Sequence, residues 1–268
     1  FESSIFIIPS TALTSGIAIA QTAPNPTQER TAISPDQTPV FRVTVVGRTT
    51  PAINYRPRRG ATKIDFDGTA LMPRARGEAR VEGKKGYIEI DAKFDELEAP
   101  AQFGREYLTY VLWAVTPEGR ARNLGEVQVD DDDARVEVTT ELQAFGLIVT
   151  AEPYFAVTQP SDVVVLENIV RDDTEGKVDV IQAKYELLKR GTYLMNKDPG
   201  DWKATALEPG EPLDLAEARN AVLLARLASA DRYAGDTYQK ALALLGEAEE
   251  ARRRRRGGNA VMMPARQA

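Results

Sequence analysis

The sequence contains neither cysteine nor histidine among its 268 residues. Without cysteine the chain has no disulfides and no thiolate nucleophile, so the folded state must depend on a hydrophobic core. Without histidine it cannot form a Ser-His-Asp triad, a Cys-His pair or the usual zinc sites. Enzymatic catalysis would have to use carboxylate, lysine or tyrosine side chains, which shortens the range of possible enzymes.

The chain also has no excess of basic residues, with 34 lysines and arginines against 40 aspartates and glutamates. Hydrophobic residues make up 43% of the chain and charged residues 28%, which is typical of a globular protein. The net charge of −6 disfavours nucleic-acid binding as the main function of the chain. A chain of this length can bury a substantial core in one large domain or two smaller ones.

The N-terminal stretch Ile5–Ala20 is apolar but shorter than the about 20 residues that a membrane-spanning helix needs. Ala18-Ile19-Ala20 before Gln21 has the form of a signal-peptidase site, so we predict that residues 1–20 are a signal peptide without its basic N-terminal part. The polar, proline-rich residues 21–38 are predicted to be a disordered linker. No cysteine follows the cleavage site, so a lipoprotein anchor is excluded there. The alternative is that the apolar stretch is the first helix or strand of a cytosolic protein.

Alternation of apolar and polar residues with a period of two dominates residues 39–185. Clusters of glycine, proline and aspartate separate the alternating segments, and no long amphipathic helix lies between them. This pattern is typical of an antiparallel sandwich or barrel, and we expect a mainly β protein with an Ig-like β-sandwich. The predicted strands are Val40–Arg48, Thr62–Phe66, Ala79–Glu82, Tyr87–Phe94, Leu108–Thr116, Gly125–Val129, Arg135–Thr140, Gly146–Glu152, Val163–Asn168 and Lys177–Ala183.

The apolar spacing becomes helical near the C-terminus, after a predicted connector over residues 186–211. Asp214 followed three residues later by Glu217 is a capping-box signal for a helix start. Alanine-rich stripes at helical spacing then predict an α-helical hairpin over residues 212–256, suited to close helix packing. The glycines that follow predict a C-cap, and residues 257–268 are predicted to be a linker to a downstream region.

Asp65-Phe66-Asp67-Gly68-Thr69 resembles the first motif of haloacid-dehalogenase-type phosphatases. The resemblance implies Asp65 as nucleophile and Asp67 as acid/base, with Mg²⁺ nearby. That motif requires a buried parallel strand before it and a helix after it, whereas alternating segments flank it here. An Asp-Gly turn between two strands is the simpler interpretation. A Mg²⁺-dependent phosphohydrolase using Asp65 and Asp67 remains the alternative function.

Other conspicuous residues have structural interpretations, so we predict no catalytic, cofactor-binding or metal-binding residue. Asp130–Asp133 lack the ligand spacing of an EF-hand and are interpreted as a solvated turn, with cation binding left open. Arg252–Arg256 are interpreted as a solvated helix C-terminus, with an anionic polymer as the alternative partner. Trp113 is expected in the core, and Trp202 over a sheet edge.

The predicted β domain contains a series of motifs: Tyr110–Gly119, Asn123–Glu126, Phe145–Pro153 and Thr158–Ser161. With these motifs, this part of the domain resembles the extracytoplasmic domain of anti-sigma-K factors. More broadly, residues from about Phe41 onward resemble the N-terminal region of OmpA-family proteins of Gram-negative bacteria. The helical stretch contains Ala230–Ala234, Thr237 and Lys240-Ala241, and with these it is similar to the helical hairpin of envelope lipoproteins.

These resemblances imply a non-enzymatic structural or interaction module of the periplasm or cell envelope, without a cofactor. They imply anchoring to peptidoglycan or the outer membrane by a C-terminal domain that this sequence does not contain, contacts with other envelope proteins, and possible self-association through the helices. An anti-sigma-type regulatory ectodomain is a third possibility, disfavoured because no membrane-spanning helix follows the apolar N-terminus. The binding partner and the oligomeric state stay open at this stage.

Overall fold

The computed structural model describes residues 45–55, 60–170, 180–188, 207 and 210–268. The predicted signal peptide, the predicted linker and Trp202 lie outside the described residues. The described part of the chain contains eleven strands: β1 (Val45–Asn54), β2 (Ala61–Gly68), β3 (Arg76–Gly83), β4 (Ile88–Asp95), β5 (Thr109–Val115), β6 (Ala121–Val127), β7 (Val129–Asp130), β8 (Asp133–Thr140), β9 (Ala144–Glu152), β10 (Val164–Ile169) and β11 (Val180–Leu188).

Strands β2, β3, β4 and β8 follow the alternation that the sequence shows. In β2, for example, Ile64 and Phe66 are buried whereas Lys63 is exposed. Successive side chains of a strand point to opposite faces, so this pattern places one face in a core and the other in water. All the strand pairings among the described residues are antiparallel, which confirms a mainly β, antiparallel domain.

The sheet is nearly closed and barrel-like, so the Ig-like sandwich is not confirmed. From β9 the pairing runs in one direction through β10, β2, β3 and β4 to β8, and in the other through β5 to β6. The valine side chains of Val136 and Val138 on β8 then approach Gly125 on β6. A Cβ at Gly125 would lie 3.1 Å from Val138 Cγ1, a tight contact, so the absence of a side chain here favours the close approach of the two strands. One curved sheet therefore encloses its own core, whereas a sandwich would need two facing sheets.

The outer face of β5 and β9 is covered by a ribbon of two strands, β1 and β11. The two strands pair from Val45↔Leu188 to Ile53↔Val180, and Ile53 also pairs with Phe145 at the start of β9. Ala52 and two side chains of β11 pack on the outer side of β5, β9 and β10; the buried residues of this second core are Ala52, Val111, Trp113, Val115, Ile148, Val157, Val164, Tyr185 and Leu187. The ribbon explains why every residue of β5 is buried.

The ribbon strands extend further than their predicted counterparts. β1 continues to Asn54, beyond the predicted end at Arg48. β11 runs to Leu188, three residues into the predicted connector. Both ends are stabilised by pairing between the two strands, a long-range contact that local alternation does not reveal.

The C-terminal region is helical, as the sequence predicts. It comprises α1 (Leu213–Leu227), α2 (Ala230–Tyr233), α3 (Gly235–Arg253) and α4 (Gly258–Gln267). The chain turns between α1 and α2 at Ser229, whose backbone is left-handed at φ 63°. Small buried residues allow α1, α3 and α4 to approach closely; this third core contains Leu215, Ala218, Ala248, Ala251, Val261 and Ala265.

Two local predictions in this region are wrong. The predicted capping box is not formed, because Pro212 occupies the N-cap position of α1 and no side chain caps it. Gly257 and Gly258 do not open a linker but lie at the start of α4, where Gly257 is the N-cap. Glycine is accepted at N-caps as well as after helix ends, so the pair did not distinguish a helix start from a linker.

Two glycines of β3 provide a test of the packing. A Cβ at Gly77 would lie 2.6 Å from Phe94 Cδ1 and 2.8 Å from the carbonyl oxygen of Lys93, whereas nothing lies within 4 Å of one at Gly83. We expect Gly77→Ala to lower the free energy of unfolding by about 1–3 kcal/mol. The control Gly83→Ala should leave it unchanged or raise it by up to about 1 kcal/mol. Urea denaturation of both variants measures this, and equal effects would contradict the described β3–β4 packing.

Candidate functional site

The two aspartates of the phosphatase-like motif lie on β2, which is antiparallel to both of its neighbours, β3 and β10. Asp67 pairs in register with Glu167 of β10 and with Arg76 of β3, and its Oδ1 lies 3.7 Å from Arg76 Nε. After β2 the chain forms a short loop and continues into β3. This arrangement differs from the parallel strand and following helix that the phosphatase motif requires.

A shallow groove of about 410 Å³ lies beside Asp67. Glu167 also lines it and forms an ion pair with Arg48, whose Nε is 2.8 Å from Glu167 Oε1. Gly68 is needed here for steric reasons, because a Cβ would lie 2.1 Å from the carbonyl oxygen of Met72 in the following loop. The glycine of the motif is thus accounted for by the loop conformation alone.

Asp130–Asp133 form the turn of a β7–β8 hairpin, in which Asp130 pairs with Asp133. Asp131 has a left-handed backbone at φ 60°, a conformation that aspartate tolerates better than most residues. Throughout the described ranges, no group of three or more acidic side chains is arranged to hold a metal ion.

The arginine run divides into two parts. Arg252 and Arg219 both pair with Glu211, whose side chain is fully buried just before α1, and Arg219 Nε also lies 2.9 Å from Glu249 on α3. These ion pairs connect the N-terminal part of α1 with the C-terminal part of α3. Arg255 and Arg256 are exposed, consistent with the solvated helix end that the sequence suggests.

Trp113 is fully buried, and its indole anchors a chain of buried polar groups. Its Nε1 donates to Thr150 Oγ1 at 2.8 Å, and Thr150 Oγ1 donates to Glu152 Oε1 at 2.5 Å. The backbone N–H of Ser161 donates to the same carboxylate oxygen at 2.7 Å. Buried polar groups are tolerated when they satisfy one another, so this network fixes the loop after β9 onto the sheet.

The most distinctive constellation joins the helices to the sheet. Asn220 of α1 is fully buried, and its Nδ2 donates to the carbonyl oxygens of Glu106 at 3.0 Å and Pro153 at 3.2 Å. These carbonyls belong to the loops that precede β5 and follow β9. Arg266 of α4 lies over the ring of Phe155, and the distance from its guanidinium carbon to the ring centroid is 4.5 Å. Two helices therefore contact the β domain through polar groups that fit specific partners.

An ion cluster completes this joint. Arg266 Nη2 lies 2.5 Å from Glu126 Oε2 on β6, and Arg266 Nε lies 2.5 Å from Asp214 Oδ1 on α1. Glu126 also accepts hydrogen bonds from Thr109 Oγ1 at 3.0 Å and from Gln128 Nε2 at 2.9 Å. Three donors therefore reach Glu126, one from β5, one from the residue between β6 and β7, and one from α4.

Glu217 of α1 is buried beside this cluster, and only 1% of its surface is exposed. No donor reaches either of its carboxyl oxygens among the described residues. Burial, followed by the nearby negative charges of Glu126 and Asp214, raises the pKa of Glu217 to about 9, although Arg266 acts in the opposite direction. At neutral pH Glu217 therefore carries a proton, and its hydroxyl can donate to Glu126.

The sequence pattern did not predict this joint, because Asp214 and Glu217 were interpreted only as a capping-box signal for a helix start. The available signal was a second buried stripe on α1, in which Glu217 and Asn220 are followed by Leu224 and Leu227 at helical spacing. Two polar residues within an apolar stripe indicate a contact with another element.

Comparison of the chain with family models, with curated proteins and with solved structures finds no match. The resemblances to OmpA-family proteins and to anti-sigma-K factors therefore stay predictions. In the part of the chain that the structure describes, each helix is either too short or too polar to span a bilayer.

Asn220 offers a test of the joint. Replacing it with alanine removes the donor to the buried carbonyl oxygen of Pro153 and to the partly buried one of Glu106, and a buried unsatisfied group costs about 1–3 kcal/mol. We expect Asn220→Ala to lower the free energy of unfolding by that amount, as measured by urea denaturation. The control Arg226→Ala, at an exposed position of the same helix, should change it by less than about 0.5 kcal/mol. Equal effects of the two substitutions would contradict the described contact.

Proposed function

We propose that the chain is a non-enzymatic structural or interaction module of the bacterial cell envelope, in which the β domain holds a helical surface in a fixed orientation. The observation that carries this proposal is the joint between α1, α4 and the sheet. Asn220 and Arg266 contact defined partners across it, as expected of a rigid connection. A flexible tether would need no such matched polar contacts.

The arrangement of the other polar groups is consistent with this proposal. Thr150, Glu152 and Ser161 bond to one another in the interior, so their role is to hold a loop in place. Asp67 and Glu167 are each paired with an arginine on the outer face. Ion pairs of this type stabilise a sheet surface and need no catalytic explanation.

The helical region supplies a surface on which a partner can bind. A groove of about 660 Å³ runs between α3 and α4, with small and apolar residues such as Ala243, Ala260 and Met263 in its lining and Glu247 and Arg256 among its charged residues. Met263 is 55% exposed, which is high for an apolar side chain. Apolar surface with charges at its edge is typical of sites where another protein binds. This supports the proposed contacts with other envelope proteins or with a second copy of the chain.

The cellular location is proposed from the sequence. The A-x-A pattern before Gln21 and the resemblance to OmpA-family proteins support export to the periplasm of a Gram-negative bacterium. The same resemblance supports anchoring to peptidoglycan or the outer membrane through a region outside this sequence. An anti-sigma-type ectodomain would require a membrane-spanning helix in the full-length protein.

Fractionation of cells that express the gene from its native start tests the location. We expect the protein in the periplasmic or envelope fraction, with a mature N-terminus at Gln21, because signal peptidase cleaves after A-x-A. N-terminal sequencing of the purified protein measures this. A variant with Ala18 and Ala20 replaced by bulky residues should remain uncleaved. Recovery of the wild-type protein in the cytoplasm with its N-terminal segment intact would refute the envelope proposal.

The alternative phosphohydrolase has its own test, favoured by the position of Asp67 in a groove. On the structural-module proposal, the wild type hydrolyses no phosphate monoester in the presence of Mg²⁺, and Asp65→Asn and Asp67→Asn leave that result unchanged. A Mg²⁺-dependent phosphatase activity that Asp65→Asn or Asp67→Asn abolishes would establish the alternative. Asp91→Asn, on the outer face of β4, serves as the control.

A further inference from the structure

The joint between the helices and the sheet contains more negative than positive charge. Three carboxyl groups, those of Glu126, Asp214 and Glu217, face a single cation, Arg266. Arg266 contacts two of them directly, at 2.5 Å each. The third, on Glu217, is the most deeply buried of the three and has no donor among the described residues.

The contacts determine which of these groups binds a proton. Glu126 accepts three hydrogen bonds, and Asp214 is paired with Arg266. An ionised Glu217 would be a desolvated charge with no donor and with a like charge beside it, which is strongly unfavourable. A protonated Glu217 is neutral and its O–H can donate to Glu126, so protonation removes both penalties.

We propose that the docking of the helical region on the sheet is linked to a proton at Glu217, which makes the joint a latch that alkaline conditions weaken. Glu217 lies on α1 and faces β6, so separation of the helices from the sheet exposes its carboxyl to water. In water the carboxyl ionises freely and gains nothing from a proton at neutral pH. Closing the joint at that pH therefore takes up one proton, and opening it releases one.

The charged groups that face Glu217 come from all three elements of the joint. Asp214 is on its own helix, Glu126 is on β6 and Arg266 is on α4. Arg266 favours the ionised form of Glu217, and the two carboxylates oppose it. Loss of Arg266 would therefore strengthen the requirement for a proton while also removing the contacts of α4 with the sheet.

The direction of the pH effect follows from the two states. The pKa of Glu217 is about 9 in the docked state, against an ordinary value of 4.5 for an exposed glutamate. The stabilisation of the docked state by the proton on Glu217 is therefore fully present below about pH 4.5. It is lost progressively as the pH rises toward 9. Within that window the docking equilibrium weakens by up to about tenfold for each pH unit.

A pair of fluorophores measures docking directly, and the absence of native cysteine allows their specific attachment. Lys85→Cys lies on an exposed turn of the β domain, and Gln239→Cys lies on the exposed side of α3. Energy transfer between pH-insensitive dyes at these positions is followed during urea titration at pH 6 and at pH 8. Fluorescence of Trp113, buried between the sheet and the β1–β11 ribbon, reports the unfolding of the sheet when all variants carry Trp202→Phe, which removes the second tryptophan of the chain.

We expect the energy-transfer transition of the wild type to precede the tryptophan transition and to move to lower urea at pH 8. Glu217→Gln, neutral and nearly isosteric, should abolish that pH dependence and strengthen docking at pH 8 by roughly ten- to a hundredfold relative to wild type. The control Glu141→Gln, at an exposed position between β8 and β9, should behave as wild type. Glu126→Gln removes the negative charge beside Glu217 and should weaken the pH dependence of docking. This second variant tests the proposal if Glu217→Gln does not fold.

Two results would overturn the latch. One is an equal pH dependence in wild type and Glu217→Gln, which would mean that another group binds the proton. The other is coincidence of the energy-transfer and tryptophan transitions at both pH values, which would mean that the proton stabilises the whole fold and not the joint.

Discussion

Strand β9 has to be apolar on both of its faces, because it belongs to two cores at the same time. Its inner side chains, such as Leu147 and Val149, line the interior of the curved sheet, and Ile148 on its outer side packs under the β1–β11 ribbon. It also pairs with three strands, β1, β5 and β10. Because the closed sheet and the ribbon meet on this strand, the position of every other element is set relative to it. A polar residue at these positions survives only with buried partners, as Thr150 and Glu152 do.

Much of the β domain follows from local pattern. The alternation of β2, β3, β4 and β8 predicts antiparallel strands with one buried face, and the structure confirms this. The choice between a sandwich and a barrel was beyond local pattern, because alternation is the same in both. Closure depends on the contact of Gly125 with Val138, between strands whose pairing partners lie elsewhere. The ribbon strands were predicted to end too early for the same reason, since pairing over long sequence distances extends them.

In the helical region the secondary structure was predicted, but the contacts of the helices with the sheet were not. The alanine stripes correctly predict helices, yet the residues that join them to the sheet were assigned to local functions. Asp214 and Glu217 fit a capping box in sequence, but their carboxyl groups lie at a tertiary contact with Arg266 and Glu126. The two groups lie 52 and 91 residues from those partners, counted along the printed sequence. The two side chains therefore make a long-range tertiary contact and do not form the local helix cap that the short-range pattern indicates. The phosphatase-like motif shows the same lesson, because a match over five residues carries no information on strand direction.

The boundary between β6 and β8 has a consequence for how the two parts of the protein influence each other. Within the described residues, β6 has a backbone ladder only with β5, and its contact with β8 is made by side chains. Such a strand is held less firmly than one paired on both sides. Glu126 lies on β6 and is bound by Arg266 of α4, so the helices act as the second fastening of this strand. The helical region is therefore part of what keeps the sheet closed, and a partner that pulls on the helices would also loosen the wall of the β domain.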